Sequence, residues 1–135
     1  MKKSFLILLI AIISACSGDD EGNQSPRLSG DWMLISADCQ CAFDETINLQ
    51  DFKLRFDDSG NTLHLDNPTE SYYYIAETGA YKYDLEGDIL KISGLNNTFK
   101  FKTEGNKLVL TLIDDPQIAD DELVLTYLKN VKDAF

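Results

Sequence analysis

Histidine and tryptophan each occur once in this chain, cysteine and proline three times, and only 12 basic residues stand against 23 acidic ones. Each scarcity removes a class of answer. With His64 as the only imidazole, no metal centre with two histidine ligands can form. Three cysteines are too few for a disulfide scaffold. A formal charge of −11 repels phosphate backbones and argues against a nucleic-acid partner. The longest apolar run, Phe5 to Ile13, is nine residues, whereas a membrane-spanning helix needs ~20. No Gly-x-Ser-x-Gly elbow, phosphate loop or paired-carboxylate signature is present, so neither an enzyme nor a bound cofactor is expected.

What is present begins at the N-terminus. Lys2 and Lys3 precede the apolar run, and the small residues Ser14 and Ala15 follow it, which is the layout of a secretory signal over residues 1–15. The stretch Ile13-Ser14-Ala15-Cys16 resembles the lipobox of bacterial lipoproteins. That resemblance implies cleavage before Cys16 and lipidation of its sulfur, with the membrane as a partner through the lipid alone. Cleavage removes two of the 12 basic residues and makes the charge of −11 more negative by two. Residues 16–27 then read as a tether. The stretch "SGDDEGNQSPR" lacks large apolar side chains and cannot order itself, and its r.m.s. reach is roughly 18 Å. Its acidic cluster Asp19-Asp20-Glu21 resembles the surface-export signal of lipoproteins in some Gram-negative phyla, although a soluble tether would have the same composition. The expected location is the outer membrane, facing the periplasm or the cell surface.

From Leu28 to Phe135 the chain suits one domain. Its apolar periodicity is two: Phe52, Leu54 and Phe56 alternate with Lys53, Arg55 and Asp57, and Phe99 and Phe101 alternate with Lys100 and Lys102. Such alternation predicts half-buried antiparallel strands. Strands are expected at 31–37, 50–57, 62–66, 71–76, 79–85, 89–93, 98–103 and 107–113, with a closing segment at 122–128. The closing segment is ambiguous. Val124, Leu128, Val131 and Phe135 are spaced for a helix, while "LVLTY" alternates as a strand and is favoured. Turn signals at "DDSGN", "LEGD", "GLNN" and "TEGN" separate the runs. About eight one-sided strands need hidden edges, so an all-β, up-and-down antiparallel barrel is predicted, with a sandwich as the alternative.

"LSGDWMLIS" resembles the first strand of lipocalins and of the lipocalin-like domains of bacterial lipoproteins, whose Gly-x-Trp is matched by Gly30 and Trp32. "GAYKYDLEGDILKISG" and "FKFKTEGNKLVLTLID" resemble the repeated hairpins of the bacterial domains. Two other lipocalin motifs, a Thr-Asp-Tyr turn and an Arg packing over the Trp, have no match. The resemblance therefore points to the bacterial domains and implies a barrel without a deep pocket.

Candidate site residues are few. Cys39-Gln40-Cys41 could form a local disulfide, remain as thiols or pair between molecules, or hold a soft metal together with Asp38, Asp44 or Glu45. Asp57-Asp58 and Asp114-Asp115 with Asp120-Asp121-Glu122 do not match a regular calcium loop and read as solvated turns. His64, two residues before Asp66, reads as a solvated strand histidine. Tyr72-Tyr73-Tyr74 would place rings on both faces of a strand. Trp32, Phe52, Phe56, Tyr81, Tyr83, Phe99, Phe101 and Tyr127 are expected inside, where eight large rings would fill most of an eight-stranded lumen. Any ligand pocket should be small and lie at one end, with Trp32, Tyr72, Tyr74, Tyr81 and Tyr83 as its candidate residues. Two functions follow as expectations. One is a non-enzymatic binding protein holding a small apolar or amphipathic ligand in or at the mouth of the barrel. The other is an accessory lipoprotein with a filled barrel that contacts another envelope protein or a glycan.

Overall fold

The computed structural model describes residues 28–39, 46–71, 73–113 and 123–130. Cys16, Cys41, Tyr72 and the acidic stretch 114–122 lie outside the described residues, as do the signal and tether. Eight strands run β1 (Gly30–Asp38), β2 (Lys53–Asp57), β3 (Thr62–Asp66), β4 (Gly79–Glu86), β5 (Ile89–Ile92), β6 (Thr98–Glu104), β7 (Lys107–Ile113) and β8 (Val124–Lys129). Each pairs antiparallel with the next, and β8 returns to β1, closing an up-and-down barrel. Closure removes the free sheet edges that a sandwich would leave.

Burial alternates along the strands as the sequence predicts. β2 reads exposed-buried-exposed-buried-exposed, and β6 buries Phe99 and Phe101 between exposed lysines. Seven of the eight expected inner rings are buried, and Tyr81 is half-buried. The polarity is inside-out relative to a membrane-spanning barrel, because the outward positions of β2 to β6 carry Lys53, Arg55, Lys82, Asp84, Lys100 and Lys102.

Hairpins and long connections separate to opposite ends. At one end lie the four-residue turn from β2 to β3 and the two-residue loops joining β4 to β5 and β6 to β7. Gly105 has φ of 60° at the first position of its loop, the place a type II′ hairpin reserves for glycine. Leu28 enters at this end, fully buried, and the Trp32 indole Nε1–H donates to its carbonyl at 2.7 Å. Gly30 explains its place in the Gly-x-Trp sequence. Its φ is 116°, and a Cβ there would lie 2.9 Å from Cε of Lys129.

The other end holds the described parts of the long connections that leave β1 and β3, residues 46–52, 67–71 and 73–78, together with 93–97. The 3-10 helix Leu49–Asp51 is capped by Asn48, whose side chain accepts from the Gln50 amide. It occupies residues expected to begin β2, so β2 starts at Lys53 and not at residue 50. The expected strand at 71–76 is also corrected: its described residues form a turn and bends. The β-rich composition of "YYYIA" suggested pairing, but Asn67 fixes a broad loop instead. Its amide side chain donates to the Ala76 carbonyl at 2.9 Å, and its backbone N–H donates to Oγ1 of Thr78 at 3.0 Å. Ile75 and Ala76 are thereby turned into the barrel mouth and buried. The closing segment is a strand, Val124–Lys129, so the inward alternation of Leu125 and Tyr127 outweighs the helical spacing.

Candidate functional site

Among the described residues, the candidate aromatic side chains do not converge on one pocket. Trp32 and Tyr83 lie toward the hairpin end, where Tyr83 meets Phe56 edge-to-face at 5.2 Å. Tyr74 lies at the loop end, edge-on to Phe52 at 4.8 Å. The half-buried Tyr81 donates its hydroxyl to the Glu77 carbonyl at 2.9 Å, and Tyr73 is exposed. Leu34, Leu63, Leu90, Leu108, Leu110 and Leu125 fill the same core and are all fully buried. The space bounded by Phe52, Leu54, Leu65, Tyr74, Ile75 and Tyr127 is only ≈ 10 Å³, no more than a single water requires. The side chains themselves fill the mouth of the barrel there.

Lys129 supplies a contact that the sequence did not reveal. Its ammonium lies 5.4 Å from the centroid of the Trp32 ring, a cation over tryptophan contributed by the last strand. The cation is a lysine and not an arginine, and only barrel closure brings it to the ring.

The Tyr83 hydroxyl donates to Oδ1 of Asp58 at 3.2 Å. Burial, reinforced by the Asp58 carboxylate, pushes its pKa from 10.0 to about 12. The neutral phenol is therefore favoured in the folded state. This contribution to stability is present below about pH 10 and declines as pH rises toward 12. Burial raises Tyr127 as well. Urea midpoints measured across this alkaline window should fall in the wild type and fall less steeply in Tyr83→Phe; equal slopes would exclude the coupling.

Asp57, at the neighbouring turn, accepts from the Ser59 hydroxyl at 2.6 Å and the Ser59 amide at 3.0 Å, which lowers its pKa. Asp57 and Asp58 are thus engaged in the turn and with Tyr83. Among the described residues no group of three His, Cys, Asp or Glu side chains converges as a metal site would. Cys39 is disulfide-bonded, and its partner lies outside the described residues.

Two larger hollows lie on the outside: an open one of ≈ 560 Å³ beside Gly30, Phe56 and the turn at Asp57, Asp58 and Ser59, and a more enclosed one on the strand faces. A cleft of ≈ 300 Å³ crosses the outer face of β1, β2 and β3, lined by Asp31, Met33, Lys53, Arg55, His64 and Asp66, with Asn130 at its edge. Register creates it. Arg55 stands opposite Asp31 on one side and His64 on the other, while Lys53 stands between Met33 and Asp66. Asn130 is held against β1 by its backbone N–H, which donates to the Asp31 carbonyl at 2.7 Å. In the sequence these residues are simply the wet side of alternating strands. The available signal was a cluster of cations in a strongly acidic chain, brought together by folding the β2–β3 hairpin about "DDSGN".

No known family model matches the chain, and no curated protein is detectably similar to it.

Proposed function

We propose that this is a lipid-anchored, non-enzymatic envelope protein whose filled barrel acts through its outer surface and loop end on a ligand or partner. The observation that carries this reading is the contrast between inside and outside: ≈ 10 Å³ at the described mouth against ≈ 300 Å³ in the outer cleft. Small-molecule sites usually occupy ~300–1,000 Å³. The Gly30–Trp32–Lys129 cluster and the up-and-down topology support membership among the lipocalin-like domains of bacterial lipoproteins. The lipobox resemblance at Cys16 supports lipid anchoring in the outer membrane. Leu28 enters at the hairpin end, which leaves the long connections at the end away from the tether's attachment.

A native mass spectrum of the protein released from its own cell envelope tests the reading. The expected spectrum shows no apolar molecule retained in stoichiometric amount. A retained apolar ligand that is lost on unfolding would overturn the filled-barrel reading in favour of a carrier.

A further inference from the structure

We propose that the outer cleft on β1, β2 and β3 binds a carboxylate that carries neighbouring hydroxyl or ammonium donors, as an acidic monosaccharide unit or a free amino acid does. The inference rests on the outer-surface reading above and names its ligand chemistry.

The first support is the unusual state of the cations. Lys91, Lys100 and Lys102 form ion pairs with Glu86, Asp88 and Glu104. Lys82 donates to the Gly60 carbonyl and to Thr62, and Lys129 lies over Trp32. Lys53 and Arg55, by contrast, have no ion-pair partner among the described residues, although each has an aspartate directly across the strand ladder. Opposite charges at such positions commonly pair. Here they stand apart, and the hollow lies between them. Lys107 is also unpaired but lies outside the cleft, which makes it a control.

The second support is the arrangement of charge. The two cations share the central strand, and one carboxylate stands on each flank, Asp31 on β1 and Asp66 on β3. A monoanionic carboxylate placed over β2 meets the planar fork of Arg55 and the point charge of Lys53. Donors on either side of that carboxylate then reach Asp31 and Asp66, while Met33 offers an apolar wall and Asn130 a neutral amide. The same two aspartates disfavour phosphate and sulfated polyanions, whose added negative charge would sit beside them. His64, opposite Arg55, adds an imidazole N–H donor to the lining of the cleft.

The third support is shape. The outer face of a barrel is convex, so a hollow of this size needs walls. Raised side chains on three strands and the residue after β8 provide them. At ≈ 300 Å³ the space suits one sugar ring or one amino acid and not a longer oligomer in full.

Amide chemical shifts of the 15N-labelled full chain test the proposal with four probes: sodium galacturonate, galactose, L-alanine and sodium sulfate. Galacturonate or L-alanine should move amides in β1, β2 and β3, and whichever acts identifies the source as saccharide or amino acid. Arg55→Gln and Lys53→Gln should each weaken binding at least tenfold, while Lys107→Gln leaves it unchanged. All three side chains are exposed, and circular dichroism with Trp32 emission verifies that the variants fold. The proposal is overturned if neither carboxylate probe acts at tens of millimolar, if galactose or sulfate acts equally, or if binding survives Arg55→Gln. Loss of the cleft proposal in this way would leave the bare native mass expected above unaffected, so the two readings fail separately.

Discussion

Truncating Phe99 to alanine is expected to destabilise the protein by about 3–5 kcal/mol, the range for removing a buried aromatic ring. Phe99 is fully buried in β6, opposite Leu90 of β5 and Leu112 of β7. Its surroundings have little freedom to collapse, because each neighbouring strand is bonded on both sides around a closed ring. The residual cavity should therefore persist and keep the loss toward the upper part of that range. Domains of this size are stable by ~5–15 kcal/mol, so one ring represents a large share. Trp32 is the single tryptophan and is buried, so its emission reports urea unfolding directly. Lys100→Ala is the matched surface control. It removes only the exposed 3.4 Å pair with Asp88 and should change stability by less than ~0.5 kcal/mol. A loss below ~1.5 kcal/mol for Phe99→Ala would show that the barrel relaxes around the gap, contrary to the rigidity argued from closure.

Cys16→Ala is expected to shift the protein from the membrane fraction to the soluble fraction. Among the described residues no helix is long and apolar enough to cross a membrane, and the charged outer positions of β2 to β6 are unsuited to lipid. The chain is strongly acidic, so attraction to anionic headgroups cannot hold it. Acyl chains contribute ~0.8 kcal/mol per buried methylene, and stable anchoring takes more than one chain. The lipobox resemblance places those chains on a single residue. Retention of the Cys16→Ala protein in washed, high-salt membranes would reject lipidation at that position.

Most of the barrel could be read from side-chain alternation, because strands with one wet face write their orientation into every second residue. The alternation in "DFKLRFD" and "FKFKTE" fixes which rings point inward, and the hairpin turns carry their own glycine and asparagine signals. The errors arose where a local signal competed with a distant partner. "YYYIA" has the composition of a strand, yet Asn67 and Thr78 hold the segment as a plug, and neither bond is implied by the segment itself. "LQD" seemed to continue β2 but is a 3-10 turn capped by Asn48. The cation over Trp32 was hidden because Lys129 is almost a hundred residues away in sequence. The outer cleft was hidden for a related reason. Its residues come from three strands and obey the alternation perfectly, so no single segment marks them as different.

Pairing of β1 with β8 also constrains the order in which the molecule can be made. Trp32 to Asp38 find their partners on one side only when Lys129 back to Val124 becomes available, nearly the whole length of the chain later. Synthesis from the N-terminus therefore yields an open sheet first, with β1 and β7 as bare edges able to recruit strands from other chains. Local hairpins between β2 and β7 can form as they emerge, but the seam is a high-contact-order step that sets the pace of folding. The Trp32–Lys129 contact exists only once that seam is shut, so the indole records the moment of closure.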